Sequence, residues 1–446
     1  MGIVKAYDIR GVVPTEIDAS IANKVGKAVV ALTGAKSILI ANDMRVSSPA
    51  LEYALKYGII GQGTDAHIAG LCSTPQFYWL LATSGYDAGI MITASHNPKE
   101  YNGFKICRKG AAPVSYETGL AELEQLLTKD SKDMNGKGIG RFFTMNNSSP
   151  SHYAQFIASL VSLSQQRKVV LDAGNGMAGH TLPSLLTHYP MLDIHPLYFT
   201  LDGTFPNHEA NPIKEENLTV LKKNVLEKKA DLGVAFDGDA DRGGFVDEQG
   251  KFVSADMILC LLATDYLAKH PSVPIVYDVR STKALGEAIG QHGGVPVVWK
   301  GGHSRIKHKM IEVQAPLGGE KSGHFFFKDF FSADCPDVAW LRVLQIMEER
   351  RKSLSELVES FKKYYGGEEL NFPVPNDPQA VMKKVEQMYS GSVMYLDGLS
   401  MDMGEWWFNL RPSNTEPLLR LNIESKTQRL YEEKKKEVIA LITGLS

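Results

Sequence analysis

Ile38-Leu39-Ile40-Ala41, Pro49 to Tyr57, Ala66-His67-Ile68-Ala69, Gln76 to Leu81 and Ala88-Gly89-Ile90-Met91-Ile92 follow one another between Ser37 and Ile92. Apolar runs of strand length alternate with stretches of helical spacing, the mark of βαβ units. The last run leads into Thr93-Ala94-Ser95-His96-Asn97-Pro98, where Asn97-Pro98 favours a turn and biases its first residue away from helix. A serine hydroxyl is therefore expected at the mouth of a sheet, where open α/β folds bind ligands. Ser, His, Asn and Pro also make ordinary turns, so the role of Ser95 depends on what the rest of the chain brings to it.

The alternation restarts after the polar, linker-like Met145 to Ser151, with Val169-Val170-Leu171, Asp193 to Tyr198 and Leu232 to Phe236. A third round begins near Ala255, with helix-like Met257 to Leu267, Ile275-Val276-Tyr277, a helix from Thr282 to Ile289, and Val295 to Val298. Beyond the amphipathic Leu354 to Phe361 the pattern changes to one helix, Pro378 to Met388, then strand-like Val393 to Leu396, Trp406 to Leu410 and Leu418 to Ile423, and a last helix. The expected architecture is three similar mixed α/β domains in series, residues 1–148, 149–254 and 255–367, plus a smaller C-terminal α+β domain, 368–446.

A chain of 446 residues is too long for one core. Lys+Arg 48 against Asp+Glu 51 is nearly balanced, which argues against nucleic acid or an anionic membrane as the main partner. Cys72, Cys107, Cys260 and Cys335 are widely spaced without a CxxC, so neither a zinc site nor a disulfide framework is expected. The first residues carry no apolar signal core and no run approaches membrane-spanning length, which predicts a soluble, cytoplasmic protein.

Asp237-Gly238-Asp239-Ala240-Asp241-Arg242 follows the apolar run ending at Phe236. Three carboxylates this close repel unless something positive gathers them, and small spacers let their oxygens converge on a hard divalent cation. An EF-hand is excluded, because Arg242 stands where that loop requires glycine and a strand leads in. Gly174-Asn175-Gly176-Met177-Ala178-Gly179 matches a dinucleotide fingerprint, but the next strand ends without an acidic residue to grip a ribose. Gly318 to His324 offers a carboxylate, a hydroxyl and an imidazole, a set suited to sugar hydroxyls. Arg411-Pro412-Ser413-Asn414-Thr415-Glu416-Pro417 offers a guanidinium fork, hydroxyls and turn N–H groups, a cradle for a phosphate dianion. Taken singly, Lys105 reads as a surface lysine, Arg10 and Arg280 as structural ion pairs, and His303 as the opening of a helix.

Together these motifs, with Tyr7-Asp8-Ile9-Arg10-Gly11 and Tyr101-Asn102-Gly103-Phe104-Lys105, resemble the α-D-phosphohexomutases, specifically the phosphomannomutase/phosphoglucomutase branch. The resemblance runs over essentially the whole length and implies three similar α/β domains and a fourth of another type around a central cleft. It implies that Ser95 is the phosphoserine, and that one Mg²⁺ per chain is held by Asp237, Asp239, Asp241 and a phosphoserine oxygen. Glu320, Ser322 and His324 would select the sugar, with Tyr7, Arg280 and His303 beside it. Arg411, Ser413, Asn414 and Thr415 would hold the phosphate that is not reacting. Arg10, His96, Lys105 and Arg242 join Ser95 as catalytic groups, and the loop at Gly174 becomes structural.

On that reading phosphorylated Ser95 gives its phosphoryl group to a hexose monophosphate. The hexose 1,6-bisphosphate, intermediate and activator, turns over in the cleft and returns its other phosphate. Lys105 and His96 are both candidates for the base. Two departures from the resemblance bear on the sugar: Arg280 stands where lysine is common, and Ser332 to Asp337 lacks the usual Asp-Gly pair. Lys321 and His324 look more like the mannose/glucose branch than like phosphoglucosamine mutases. The alternatives are such a glucosamine enzyme, a serine- and Mg²⁺-dependent sugar phosphatase, or a non-catalytic sugar-phosphate-binding protein. A phosphosugar is the expected partner, and a monomer or weak homodimer the expected state.

Overall fold

The computed structural model describes residues 2–129, 138–145, 149–373, 377–413 and 418–445. In the first sheet the strands lie in the order Ile9–Val12, Tyr101–Arg108, Ala88–Ile92, Ser37–Asn42, Asp65–Leu71, Phe142–Thr144, with Ala112–Pro113 paired to Tyr101–Arg108. Ser37–Asn42 runs parallel to both Asp65–Leu71 and Ala88–Ile92, as the alternating pattern predicts. Tyr101–Arg108 then returns antiparallel, with Met91 opposite Lys105 and Ile92 opposite Phe104. Residues 93–100 are thus the loop between a buried parallel strand and its antiparallel return.

The same device recurs twice. Leu232–Phe236 lies parallel to Arg167–Asp172 and antiparallel to Gly243–Asp247, leaving residues 237–242 as the loop. Leu317–Gly319 lies parallel to Pro274–Asp278 and antiparallel to Phe325–Phe327, leaving residues 320–324. All three loops carry the residues singled out above for chemistry. In the last domain five antiparallel strands lie in the order Tyr365–Pro373, Leu418–Ser425, Trp406–Pro412, Leu399–Asp402, Ser392–Met394, and residues 413–417 join two of them.

Several elements go beyond the sequence pattern. The helix Ala19–Thr33, capped by Asp18 and ended by left-handed Gly34, precedes the apolar run Ile38-Leu39-Ile40-Ala41. Helix Pro336–Arg350 is buried on most sides, Trp340 among its residues, so no amphipathic stripe marks it. Of the linker-like Met145 to Ser151, residues 146–148 lie outside the described residues, and Pro150 already opens the helix Pro150–Leu160 under a Ser149 cap. One apolar cluster runs through the first three domains, from Phe77 and Tyr153 to Phe325 and Trp340, while the last domain has a separate cluster around Phe408, Leu421 and Val438. All four cysteines are buried and free. Among the described residues no helix is long and apolar enough to cross a membrane.

Candidate active site

Ser95 sits in the first loop with φ +53, a left-handed conformation that costs a residue with a Cβ about 1 kcal/mol or more. Arg45 holds it there. That side chain, 1% exposed, donates through Nη2 to the carbonyls of Ser95 (2.8 Å) and Asn97 (2.6 Å) and through Nη1 to those of Pro98 (2.8 Å) and Tyr101 (2.9 Å). Asp43 balances its charge from 3.2 Å. Neither residue stands out in the sequence; the available signal was a charged pair just past the carboxyl end of the strand beside Ala88–Ile92.

The second loop meets the first. Ser95 Oγ donates to Asp237 Oδ2 at 2.6 Å, and a Cβ on Gly238 would run into the Ser95 carbonyl. Gly176, in the glycine-rich loop, lies against Gly238 from the other side, and Met177 N donates to the Gly238 carbonyl at 2.9 Å, so that loop is a buttress. Asp237, Asp239 and Asp241 are fully buried, with one oxygen from each within 4.8 Å of the others. Lys105 Nζ donates to Asp239 Oδ2 at 2.6 Å and to Asp241, and Thr74 Oγ1 reaches Asp239 Oδ2 at 2.7 Å. Among the described residues Asp239 Oδ1 and Asp241 Oδ1 have no hydrogen-bond partner.

Lys105 is therefore no surface lysine: register places it beside the strand end and the aspartates draw it inward, leaving 3% exposed. Burial works against its charge, but Asp239 and Asp241 outweigh burial and hold the ammonium above its ordinary range. Burial, then the charges of Asp241 and Asp239, push the Asp237 carboxyl well up. For Asp241 burial pushes the same way, and Lys105, His324 and Arg242 overcome it to hold the carboxyl low. His96 Nδ1 lies 3.2 Å from Ser95 Oγ; burial, then Arg242 and Arg10, keep its ring well below the usual imidazole range. Arg10 donates to Asn97 Oδ1 at 2.6 Å and pairs with Asp8, so it is an ion pair that also braces the serine loop.

The third loop closes on the second. Arg242 Nε lies 3.0 Å from His324 Nε2, and the other ring nitrogen, Nδ1, lies 2.7 Å from Asp334 Oδ2. Asp334 belongs to the stretch that lacks the usual Asp-Gly pair and was not among the predicted site residues. Tyr7 OH donates to the Gly301 carbonyl at 2.9 Å, and its ring meets that of His303 edge-on at 5.9 Å; the rings of His303 and His324 are 5.8 Å apart. His303 opens the helix His303–Val313, as its pattern indicates. Burial lowers His303 to about 4. Glu320 accepts from Gly302 N and lies 3.7 Å from Arg280, which is itself tied to Asp278 at 2.7 Å. Ser322 is half-buried in the same loop. Arg411 donates to Glu369 at 2.7 Å and Ser413 Oγ accepts from Arg420 at 3.3 Å; Asn414 and Thr415 lie outside the described residues.

The sequence matches, in series, the phosphoglucomutase/phosphomannomutase alpha/beta/alpha domain I over residues 1–134, domain II over 151–250, domain III over 254–364 and the C-terminal domain over 369–441. The chain belongs to the phosphoglucomutase/phosphomannomutase family. It is 37% identical over 447 residues to a protein named phosphohexose mutases from Xanthomonas campestris pv. campestris, covering 99% of each chain. A phosphomannomutase of Methanocaldococcus jannaschii is 36% identical over 457 residues, covering 99% of this chain and 98% of that one. A solved phosphoglucomutase/phosphomannomutase family protein from Burkholderia thailandensis superposes with a TM-score of 0.90 at 32% identity, covering 99% and 97% of the two chains. The family and the relatives make the chain a phosphohexomutase, an intramolecular phosphotransferase. The resemblance read from these motifs therefore names the right family, and the dinucleotide-binding reading of Gly174 to Gly179 falls away.

Proposed function

We propose that this phosphohexomutase interconverts the 1- and 6-phosphates of mannose and glucose, with Ser95 as the returning phosphoryl carrier. The observation that carries the reading is the 2.6 Å contact of Ser95 Oγ with Asp237 inside three buried carboxylates, two of which keep an unpartnered oxygen. An all-oxygen donor set of this kind fits a hard divalent cation, and Asp237, Asp239 and Asp241 would hold Mg²⁺. When bound, the ion supplies positive charge against which phosphoryl oxygens are stabilised. Arg242, oriented through His324 and Asp334, offers a second positive group beside the same loop. Of the two base candidates, His96 is placed to exchange a proton with Ser95 itself, whereas Lys105 is placed among the aspartates. Glu320, Ser322, His303 and His324 offer acceptors and donors to sugar hydroxyls, and Arg411 with Ser413 offers the anchor for the distal phosphate.

The test has two arms. Mannose 1-phosphate or glucose 1-phosphate with Mg²⁺ and catalytic hexose 1,6-bisphosphate should give the 6-phosphate. Intact-protein mass should rise by one phosphoryl group with the bisphosphate, mapped to Ser95 and absent in Ser95→Ala. Release of inorganic phosphate without a 6-phosphate, or a label on another residue, would overturn the reading.

A further inference from the structure

Arg411 and Arg420 face each other in register across the hairpin of Trp406–Pro412 and Leu418–Ser425. Two guanidiniums directly opposite repel. Glu369, on the adjoining strand Tyr365–Pro373, lies between them: its Oε2 accepts from Arg411 Nη2 at 2.7 Å and its Oε1 from Arg420 Nη1 at 3.4 Å. Asn422 Nδ2 touches the same carboxylate at 3.5 Å, and Arg420 Nη2 continues to Ser413 Oγ at 3.3 Å. A carboxylate spread over two guanidiniums takes the donors that a phosphate dianion would use. Burial raises the Glu369 carboxyl, but Arg411, Arg280 and Arg420 more than reverse this, so an anion waits where an anion must bind.

We propose that Glu369 is a resident anion of the phosphate cradle, occupying Arg411 and Arg420 when no phosphate is there and yielding to phosphate when it binds. This rests on the cradle reading given under the proposed function. Arg411 is only 6% exposed, and leaving it unpaired would oppose every release of phosphate. A bisphosphorylated sugar that must turn around between two transfers has to let go of the cradle once per cycle. The returning carboxylate lowers the cost of that release and weakens phosphate binding to match. The Glu369 side chain is 29% exposed, which gives it room to swing aside.

Titration calorimetry of glucose 1-phosphate in a Ser95→Ala background, where no turnover occurs, tests the idea. Glu369→Gln should bind about tenfold more tightly, a gain of the size expected when one competing charged contact is removed. In the Ser95 enzyme the same substitution should lower KM and kcat together. Glu369→Asp, still charged but too short to span both arginines, should also bind more tightly than the parent and serves if Gln impairs folding. Unchanged or weaker binding in both would overturn the proposal and make Glu369 a brace that orients the arginines. Arg411→Ala separates the two readings: at least tenfold weaker binding upholds the cradle, and undiminished binding removes the cradle itself.

Discussion

Ser95 is held in a left-handed conformation by a guanidinium that is itself invisible from the solvent side. Four carbonyls, three from the loop and one from the strand that follows it, converge on Arg45, a task that needs the planar fork and its several fixed donors. Lysine keeps the charge opposite Asp43 but offers three donors from one point. Arg45→Lys is therefore expected to leave the fold in place while lowering kcat about a hundredfold through misplacement of the Ser95 hydroxyl. Steady-state kinetics beside a thermal melt decide it; full kcat in a folded variant would remove Arg45 from the site. The aspartates of residues 237–241 were legible in the sequence because their repulsion is local, three like charges on one turn. Arg45, Asp334 and Glu369 were not, because each meets its partner across a strand or a domain and looks alone like any surface charge. For the same reason Lys105 read as exposed until strand register brought it to the aspartates.

At the scale of elements most of the parallel core strands were legible as apolar runs, but the short, glycine-rich Leu317–Gly319 and the antiparallel returns were not. Tyr101–Arg108 and Gly243–Asp247 begin with small or polar residues that read as loop, and their pairing is fixed only by the strand before them. Burial also hides helix Pro336–Arg350, whose polar residues serve internal contacts. Its Asp337 accepts from Tyr153 OH of helix Pro150–Leu160 at 2.8 Å, pinning the second domain to the third. Burial raises the Asp337 carboxyl from 3.8 to about 6, against the hydrogen bonds that lower it. The folded state thus holds a proton that the unfolded chain has lost, and stability falls as pH rises through that window, by on the order of 3 kcal/mol in all. Asp337→Asn keeps an acceptor for Tyr153 and cannot ionise. Denaturant unfolding should show the Asn variant gaining on the parent by on the order of 1 kcal/mol between pH 5 and pH 8. A difference that stays flat with pH would mean that Asp337 is ionised in both states.

Across the whole molecule the seam that matters runs between the third and last domains. The first three share an apolar cluster, whereas the last keeps its own, so its placement depends on polar contacts. Glu424, buried on Leu418–Ser425, accepts from Trp407 Nε1 in its own domain at 2.9 Å and, across the seam, from Thr282 Oγ1 at 3.0 Å and Lys283 N at 3.2 Å. The last two bonds cap the helix Lys283–Gln291, whose N-terminus favours a carboxylate. Lys321, in the loop of residues 320–324, adds a bond to the Gly367 carbonyl and one to Asn422 at 3.3 Å. Glu424→Ala removes the across-seam acceptor and leaves the Trp407 N–H buried without its partner, at a cost of roughly 2–4 kcal/mol. Because the first three domains keep their common core, that loss should fall on the last domain, and calorimetry should resolve a lower-melting transition ahead of the main one. Arg411 rides on that domain while Ser95 and the aspartates do not. KM for the hexose phosphate should therefore rise by about tenfold with a smaller fall in kcat, the opposite balance to Arg45→Lys. A single transition with unchanged KM would show that the seam is held by something other than this carboxylate.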